Sequence, residues 1–225
     1  MLFRSVYDLY LNGQRVGNKI DGEMVYDELK PYFTQAPVHV MYQTYDVTEL
    51  VQAGANALSA NVSTGWWSGN INGTPFGTGT GFRAKLVLTF QDGSRQVIGT
   101  GTDWKTTTGG PVVEADIYNG ETYDANRSVA WRQADFQDAD WDNAMLRSDY
   151  TGEIIAQQGP TIRIREDLTL SPKSITVYNG AVDANEQQYG RINVVGAYED
   201  GDVIPLKKGE TAIFDFGQNA AGVPE

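Results

Sequence analysis

Three times in this chain, a stretch of strand-forming residues meets a two-residue turn that reverses it. Val6-Tyr7-Asp8-Leu9-Tyr10-Leu11 stops at Asn12-Gly13 and returns as Gln14-Arg15-Val16-Gly17. Phe82 to Phe90 reaches Asp92-Gly93 and returns as Arg95 to Gly99. The third stretch, Tyr118-Asn119-Gly120-Glu121-Thr122-Tyr123-Asp124-Ala125, lies between β-like segments and carries its own Asn-Gly pair. Such pairs supply the positive φ angles of a tight hairpin, and alternation sends one face of each strand to a core. A chain punctuated in this way folds by pairing short antiparallel strands.

The intervening segments extend the pattern. Residues 18–37, with Pro31, Pro37 and a Tyr26, Tyr32, Phe33 cluster, read as a long excursion. Residues 38–47 read as a second strand, 48–51 as a single helical turn, 54–56 as a turn, and Ala57 to Val62 as a third strand. Ser63-Thr64-Gly65-Trp66-Trp67-Ser68-Gly69 reads as a small-residue loop. On extended chain its adjacent tryptophans would point to opposite faces, one to the core and one to solvent; burial of both is the alternative. Residues 70–81 form a Gly/Thr/Asn-rich loop with Phe76, and Gly109-Gly110-Pro111 breaks the chain before the third hairpin. The acidic, aromatic stretch 131–143 has an EF-hand-like spacing, but lacks the turn glycine and the closing glutamate. Ile162-Arg163-Ile164-Arg165 reads as a closing strand, and Ser171-Pro172 as a boundary. Beyond it, 174–178, 191–198 and 211–216 read as strands of a second unit barely begun by Glu225. The expectation is an all-β chain: a jelly-roll β-sandwich over residues 1–168, then a truncated second β unit over 169–225.

Composition narrows the functions. A net charge of −12, with 17 dispersed Lys and Arg, argues against a nucleic-acid backbone as partner. The chain has no cysteine, which excludes disulfides and thiolate metal sites. The single histidine, His39, excludes a multi-histidine zinc site and sits in a strand-like pattern as a structural or surface residue. No apolar run approaches the roughly 20 residues of a membrane span. Met1 to Ser5 is too short for a signal peptide and leads straight into strand-like sequence.

Residues 118–125 carry the densest chemistry. Carboxylate and amide oxygens accept from sugar hydroxyls or ligate a hard cation, and aromatic rings stack on apolar sugar faces. The alternative is a plain hairpin, with Tyr118 and Tyr123 as flanking strand residues. Loops far apart in a sandwich sequence meet at its ends, so Trp66 and Trp67 join Asn119, Glu121 and Tyr123 as carbohydrate-binding candidates. Glu121 and Asp124 are the candidate ligands for a cation. Glycoside hydrolysis needs two carboxylates about 5–10 Å apart. Glu114, Asp116, Glu121 and Asp124 are close in sequence, but nothing supplies the rest of an active site, so no catalytic residue is assigned.

Four strings occur in a telling order: Tyr7-Asp8-Leu9-Tyr10-Leu11-Asn12-Gly13, Tyr42-Gln43-Thr44-Tyr45-Asp46-Val47-Thr48, Gly65-Trp66-Trp67, and Ile117 to Ala125. Together they resemble the amino-terminal, galactose-binding-like jelly-roll domain of bacterial α-L-rhamnosidases, from about Val6 to about Leu168. Phe214-Asp215-Phe216-Gly217-Gln218-Asn219-Ala220-Ala221-Gly222 resembles the opening of the next β domain in those enzymes. The resemblance implies a parent that hydrolyses terminal α-L-rhamnose with inversion, using carboxylates in an (α/α)6 barrel. No barrel sequence exists here, so this chain would be a non-catalytic fragment partnered by that absent domain, of a periplasmic or secreted parent. In some relatives the resemblance further implies a module that holds L-rhamnose-containing glycans through a calcium ion, Ca2+, at the Gly-Trp loop and the Asn-Gly-Glu stretch. Relatives carry Gly-Asp-Gly-Trp at the first loop. Ser63-Thr64-Gly65-Trp66 puts Thr64 in place of the acid, which removes one anionic ligand. A purely structural or interaction sandwich without a ligand is the alternative.

Overall fold

The computed structural model describes residues 2–3, 6–32, 38–69, 75–116, 118–147, 150–179, 193–220 and 222. Phe33, Pro37, the 70–74 loop, Ile117, Arg191 and the Trp66 side chain lie outside the described residues. The chain divides into two compact units, Met1–Arg163 and Ile164–Glu225. Both are all-β. Among the described residues, helix is limited to Gly65–Ser68 and the 3-10 turns Thr48–Leu50, Ala130–Arg132 and Glu166–Leu168.

The first unit is organised around the strand Val6–Leu11, which pairs antiparallel with Gln14–Arg15 on one side and Leu58–Ser63 on the other. Its alternation works as expected: Tyr7, Leu9 and Leu11 are buried and, with Val16, form a core against Val47, Leu50, Val51, Leu58 and Phe82. Each such side chain contributes roughly 1.5–3 kcal/mol by leaving water. Tyr10 points to the opposite face, yet it is buried too. Trp131 meets its ring edge-on, 5.8 Å between centroids, and the Arg132 guanidinium lies 3.9 Å from its centroid. This strand is therefore covered on both faces.

The first turn does more than reverse the chain. Asn12 and Gly13 have φ of 52° and 85°, the positive pair of a tight hairpin. The Asn12 amide donates to the Leu50 carbonyl (2.9 Å) and Asn56 Oδ1 (2.7 Å), and its oxygen accepts from the Ala57 N–H (2.8 Å). The turn thus fixes the 50–57 loop, and with it the register of Leu58–Ser63.

The remaining sheets are small: Leu2–Phe3 with Phe82–Arg83, Asn18–Ile20 with Glu23–Val25, and Lys85–Thr89 with Arg95–Gly99. Lys105–Thr106 pairs with Asp142–Asn143, and Val112–Asp116 with Gly120–Tyr123. The described strands form no closed barrel.

Two expected strands differ. The second is only His39–Tyr42, paired in parallel with Glu153–Ala156, a strand not anticipated from sequence. Residues 43–47 leave the ladder because their side chains have other uses. Gln43 accepts from the Tyr7 hydroxyl, Tyr45 and Val47 pack on the core, and Asp46 accepts from Thr48 to start the 3-10 turn. Residues 162–165 are not a strand either. Ile162 instead accepts from the Glu28 N–H (2.9 Å) and donates to the Tyr32 hydroxyl (3.2 Å), closing over the excursion.

In the second unit, Ser174–Asn179 lies between Asn193–Tyr198 and Glu210–Asp215 in a three-stranded antiparallel sheet. Ile175 and Val177 are buried on one face of the central strand.

Candidate functional site

The third hairpin forms around its Asn-Gly pair, with Gly120 at φ 79° and Ala115 opposite Glu121. Asp116 Oδ1 accepts from the backbone N–H of Tyr118 (2.8 Å) and Asn119 (2.9 Å), satisfying two turn donors that no strand partner reaches. Tyr118 and Tyr123 stand 65% and 54% exposed, and Asn119 and Glu121 are exposed beside them. The Glu121 carboxylate has no hydrogen bond or ion pair among the described residues, so its oxygens are open acceptors.

The Gly-Trp segment is not extended. Gly65–Ser68 is one α-helical turn, so the two-sided alternation expected of an extended segment does not apply to it. The Trp67 ring lies over Gly77, where a Cβ would overlap it, and its carbonyl accepts from the Gly77 N–H at 3.0 Å. Trp67 is accordingly half-buried, with one side of the ring occupied by protein.

This turn joins the hairpin through two contacts. The Thr64 hydroxyl donates to the Ala115 carbonyl at 2.8 Å, opposite Glu121 in the register. Gly69 backs onto the Asp116 carboxylate, and a Cβ there would strike both that carboxylate and the Gly65 carbonyl. Two segments about fifty residues apart are thus held side by side.

The donor set does not match calcium, which takes six to eight oxygen ligands. Asp124 spends one oxygen on the Asn126 backbone and side-chain amides (3.1 and 3.0 Å) and the other on Arg127 Nε (3.2 Å). The hydrogen bonds from Asn126, followed by the Arg127 charge, hold its carboxyl below the usual carboxylate range. Asp116 caps the turn, and Thr64 supplies a hydroxyl already donated. No group of three His, Cys, Asp or Glu able to hold a metal occurs among the described residues.

Residues 4–166 match the family model for the alpha-L-rhamnosidase N-terminal domain. The chain belongs to that family. It is 33% identical over 215 residues to an alpha-L-rhamnosidase of Streptomyces avermitilis, covering 91% of this chain and 20% of the relative. An alpha-L-rhamnosidase of Alteromonas sp. (strain LOR) is 28% identical over 225 residues, covering 98% of this chain and 20% of the relative. This rhamnosidase N-terminal chain therefore spans about a fifth of the length of the curated relatives it matches. The crystal structure of the Streptomyces avermitilis alpha-L-rhamnosidase complexed with L-rhamnose superposes with a TM-score of 0.66 at 27% identity, over 95% of this chain and 23% of that one. The alpha-L-rhamnosidase structure from Dictyoglumus thermophilum shares the fold, with a TM-score of 0.61 at 21% identity, over 94% of this chain and 26% of that one.

The rhamnosidase N-terminal domain also buries charge where the sequence showed only an irregular excursion. Asp27 and Lys30 are each 1% exposed. Asp27 accepts from the Tyr32 hydroxyl and, at 3.4 Å, from the Tyr45 hydroxyl. Arg15 bridges Asp8 (2.7 Å) and Glu28 (2.8 Å), so these carboxylates are already engaged. Lys30 Nζ stays 3.7 Å from Asp8, over the Tyr7 ring at 5.0 Å, and makes no hydrogen bond. Desolvation pushes the Asp27 carboxyl up and the Lys30 amine down, and pushes the Tyr7 and Tyr45 hydroxyls above their ordinary range. No periodicity marks Asp27 or Lys30 as buried, because both lie outside any strand.

Proposed function

We propose that this chain is the non-catalytic amino-terminal part of an α-L-rhamnosidase acting on terminal α-L-rhamnose, with an accessory jelly roll over residues 1–168 and the start of the following β domain over 169–225. We further infer that the jelly roll contacts rhamnose-containing glycans at the third hairpin, without calcium. The observation that carries this reading is the open chemistry of Gly120–Tyr123, clamped to the Gly-Trp turn by the Thr64–Ala115 hydrogen bond. Tyr123 offers a stacking face, and Asn119 and Glu121 offer acceptors for vicinal hydroxyls. The engaged state of Asp124 favours direct recognition over a bridging cation. Titration of L-rhamnose followed by tryptophan fluorescence, with calcium and with a chelator, tests it. Equal saturable changes in both conditions support direct binding, and a change abolished by the chelator contradicts it. No change in either, with Glu121→Ala altering nothing but stability, leaves the domain as scaffold.

A further inference from the structure

The acidic, aromatic stretch that begins at Trp131 has no part in the site described above, yet its first two residues close over the central strand. The Ser128 hydroxyl accepts from the Ala130 N–H (3.0 Å), a side-chain turn that opens the segment. The Val129 and Ala130 carbonyls then accept from the N–H groups of Arg132 (3.1 Å) and Gln133 (2.9 Å), which makes Ala130–Arg132 a 3-10 turn. This turn sets the Arg132 guanidinium 3.9 Å from the centre of the Tyr10 ring and 5.0 Å from that of Trp131. The turn and the hairpin strand Val112–Asp116 both pack against Leu58–Ser63. Tyr123 of the third hairpin is within electrostatic reach as well. Burial pushes the Tyr10 hydroxyl up, Asp8 and more weakly Tyr123 add to it, and Arg132 and Arg15 oppose it.

Stacking on Tyr10 holds the flat face of the guanidinium and leaves its N–H edge to find acceptors. Its own chain supplies none. Among the described residues Arg132 makes no hydrogen bond and no ion pair, although Asp135, Asp138, Asp140 and Asp142 follow it in sequence. Its Nε is buried without a partner, and so is Nε1 of the adjoining Trp131. Asp8, which alternation puts on the same strand face as Tyr10, is already held by Arg15 at 2.7 Å. Buried donors nearly always have an acceptor, and an unpaired buried cation is costlier still. Two unmet donors side by side, one of them charged, lack an oxygen that brings negative charge.

We propose that Tyr10, Trp131 and Arg132 form a subsite for the carboxylate of an acidic sugar, next to the third hairpin. The planar guanidinium fork matches the two oxygens of a carboxylate. A single free cation on a chain of net charge −12 fits one negative charge better than two. The exposed Tyr123 ring nearby offers the stacking face that a sugar ring uses. That the carboxylate is carried on a sugar rests on the reading of the third hairpin given above; the carboxylate site itself rests on Arg132 and Trp131.

The Trp131 indole N–H and the Arg132 Nε–H each give an NMR signal of their own, so the wild-type chain reports on the subsite directly. The probes are sodium D-glucuronate, its neutral methyl ester, D-glucose, sulfate and inorganic phosphate, at constant ionic strength with calcium chelated. Glucuronate should shift both side-chain signals saturably, and the ester and glucose should not. Arg132→Lys keeps the charge and loses the fork, and should weaken glucuronate binding about tenfold or more at an unchanged urea midpoint. The wild-type signals decide the matter should that variant fail to fold. Equal binding of the ester or glucose would remove charge from recognition and overturn the proposal. Tighter binding of sulfate or phosphate would overturn the choice of a carboxylate. Silence of both signals at every glucuronate concentration would leave Arg132 as a clamp on Tyr10 and overturn the subsite. A glucuronate response without any L-rhamnose response at residues 118–124 would support the carboxylate site and sink the sugar reading of the hairpin. The reverse pattern would overturn the carboxylate site alone.

Discussion

The Thr64 hydroxyl donates to the Ala115 carbonyl at 2.8 Å, tying the Gly-Trp turn to the third hairpin across 51 positions of sequence. The bond satisfies a carbonyl opposite Glu121 and makes the two candidate recognition segments move as one. Thr64→Val keeps the shape and removes the donor. It should cost about 1–2 kcal/mol in urea unfolding, the usual penalty for stranding a partly buried acceptor, and should weaken L-rhamnose binding. Unchanged stability and affinity would show that the turn is positioned by other contacts.

The central strand sets the stability of the first unit. Leu11 is fully buried in its core. Leu11→Ala should lose roughly 2–5 kcal/mol, measured as a lower urea midpoint with an unchanged slope. A loss below about 1 kcal/mol would mean that the core collapses around the vacancy.

Much of this fold was legible because hairpins are local. Asn12-Gly13, Asp92-Gly93 and Asn119-Gly120 each declare a turn, and strands pair on both sides of each, although Phe82 to Phe90 divides at Ala84 and Tyr118 lies in the turn rather than on a flanking strand. What was not legible depends on distant partners. His39–Tyr42 stops short because residues 43–47 answer to Tyr7, the core and Thr48. Glu153–Ala156 becomes a strand only because His39–Tyr42 lies parallel to it. The Gly-Trp segment was read as loop, and its helical turn brings Trp67 onto Gly77, a contact that adjacent spacing cannot foretell. At the candidate site, the residue types of 118–125 were readable. The capture of Asp124 by Asn126 and Arg127 belongs to the folded turn.

Lys30 should be a stability liability. Its amine is buried without a hydrogen bond, and its nearest carboxylate, Asp8, is already held by Arg15. Lys30→Met should therefore stabilise the chain by on the order of 1 kcal/mol near neutral pH, whereas Arg15→Met, which strands Asp8 and Glu28, should destabilise it. The pH dependence follows in sign. Burial lowers the Lys30 pKa from 10.5, so between its folded value and that limit the unfolded chain holds the extra proton. Wild-type stability should rise with pH in this window, and Lys30→Met should flatten the rise. Urea melts between about pH 7 and 9.5 read this below the range of an ordinary tyrosine. A profile unchanged by the substitution would show that Lys30 is solvated in the folded chain.

The proposed division of labour between this domain and the rest of a rhamnosidase predicts inactivity. The purified 225-residue chain should release no aglycone from an aryl α-L-rhamnoside above the buffer rate. Turnover that persists through repurification and is abolished by Glu121→Gln would place catalysis in this chain.

The most direct test of sugar recognition is an amide-resolved NMR titration of the chain with L-rhamnose in the presence of a calcium chelator. The predicted result is a saturable set of shifts confined to residues 118–124 and 64–69, lost in Glu121→Ala and retained in Asp124→Asn. Saturable shifts located elsewhere, or none at concentrations that saturate known rhamnose-binding proteins, would contradict it.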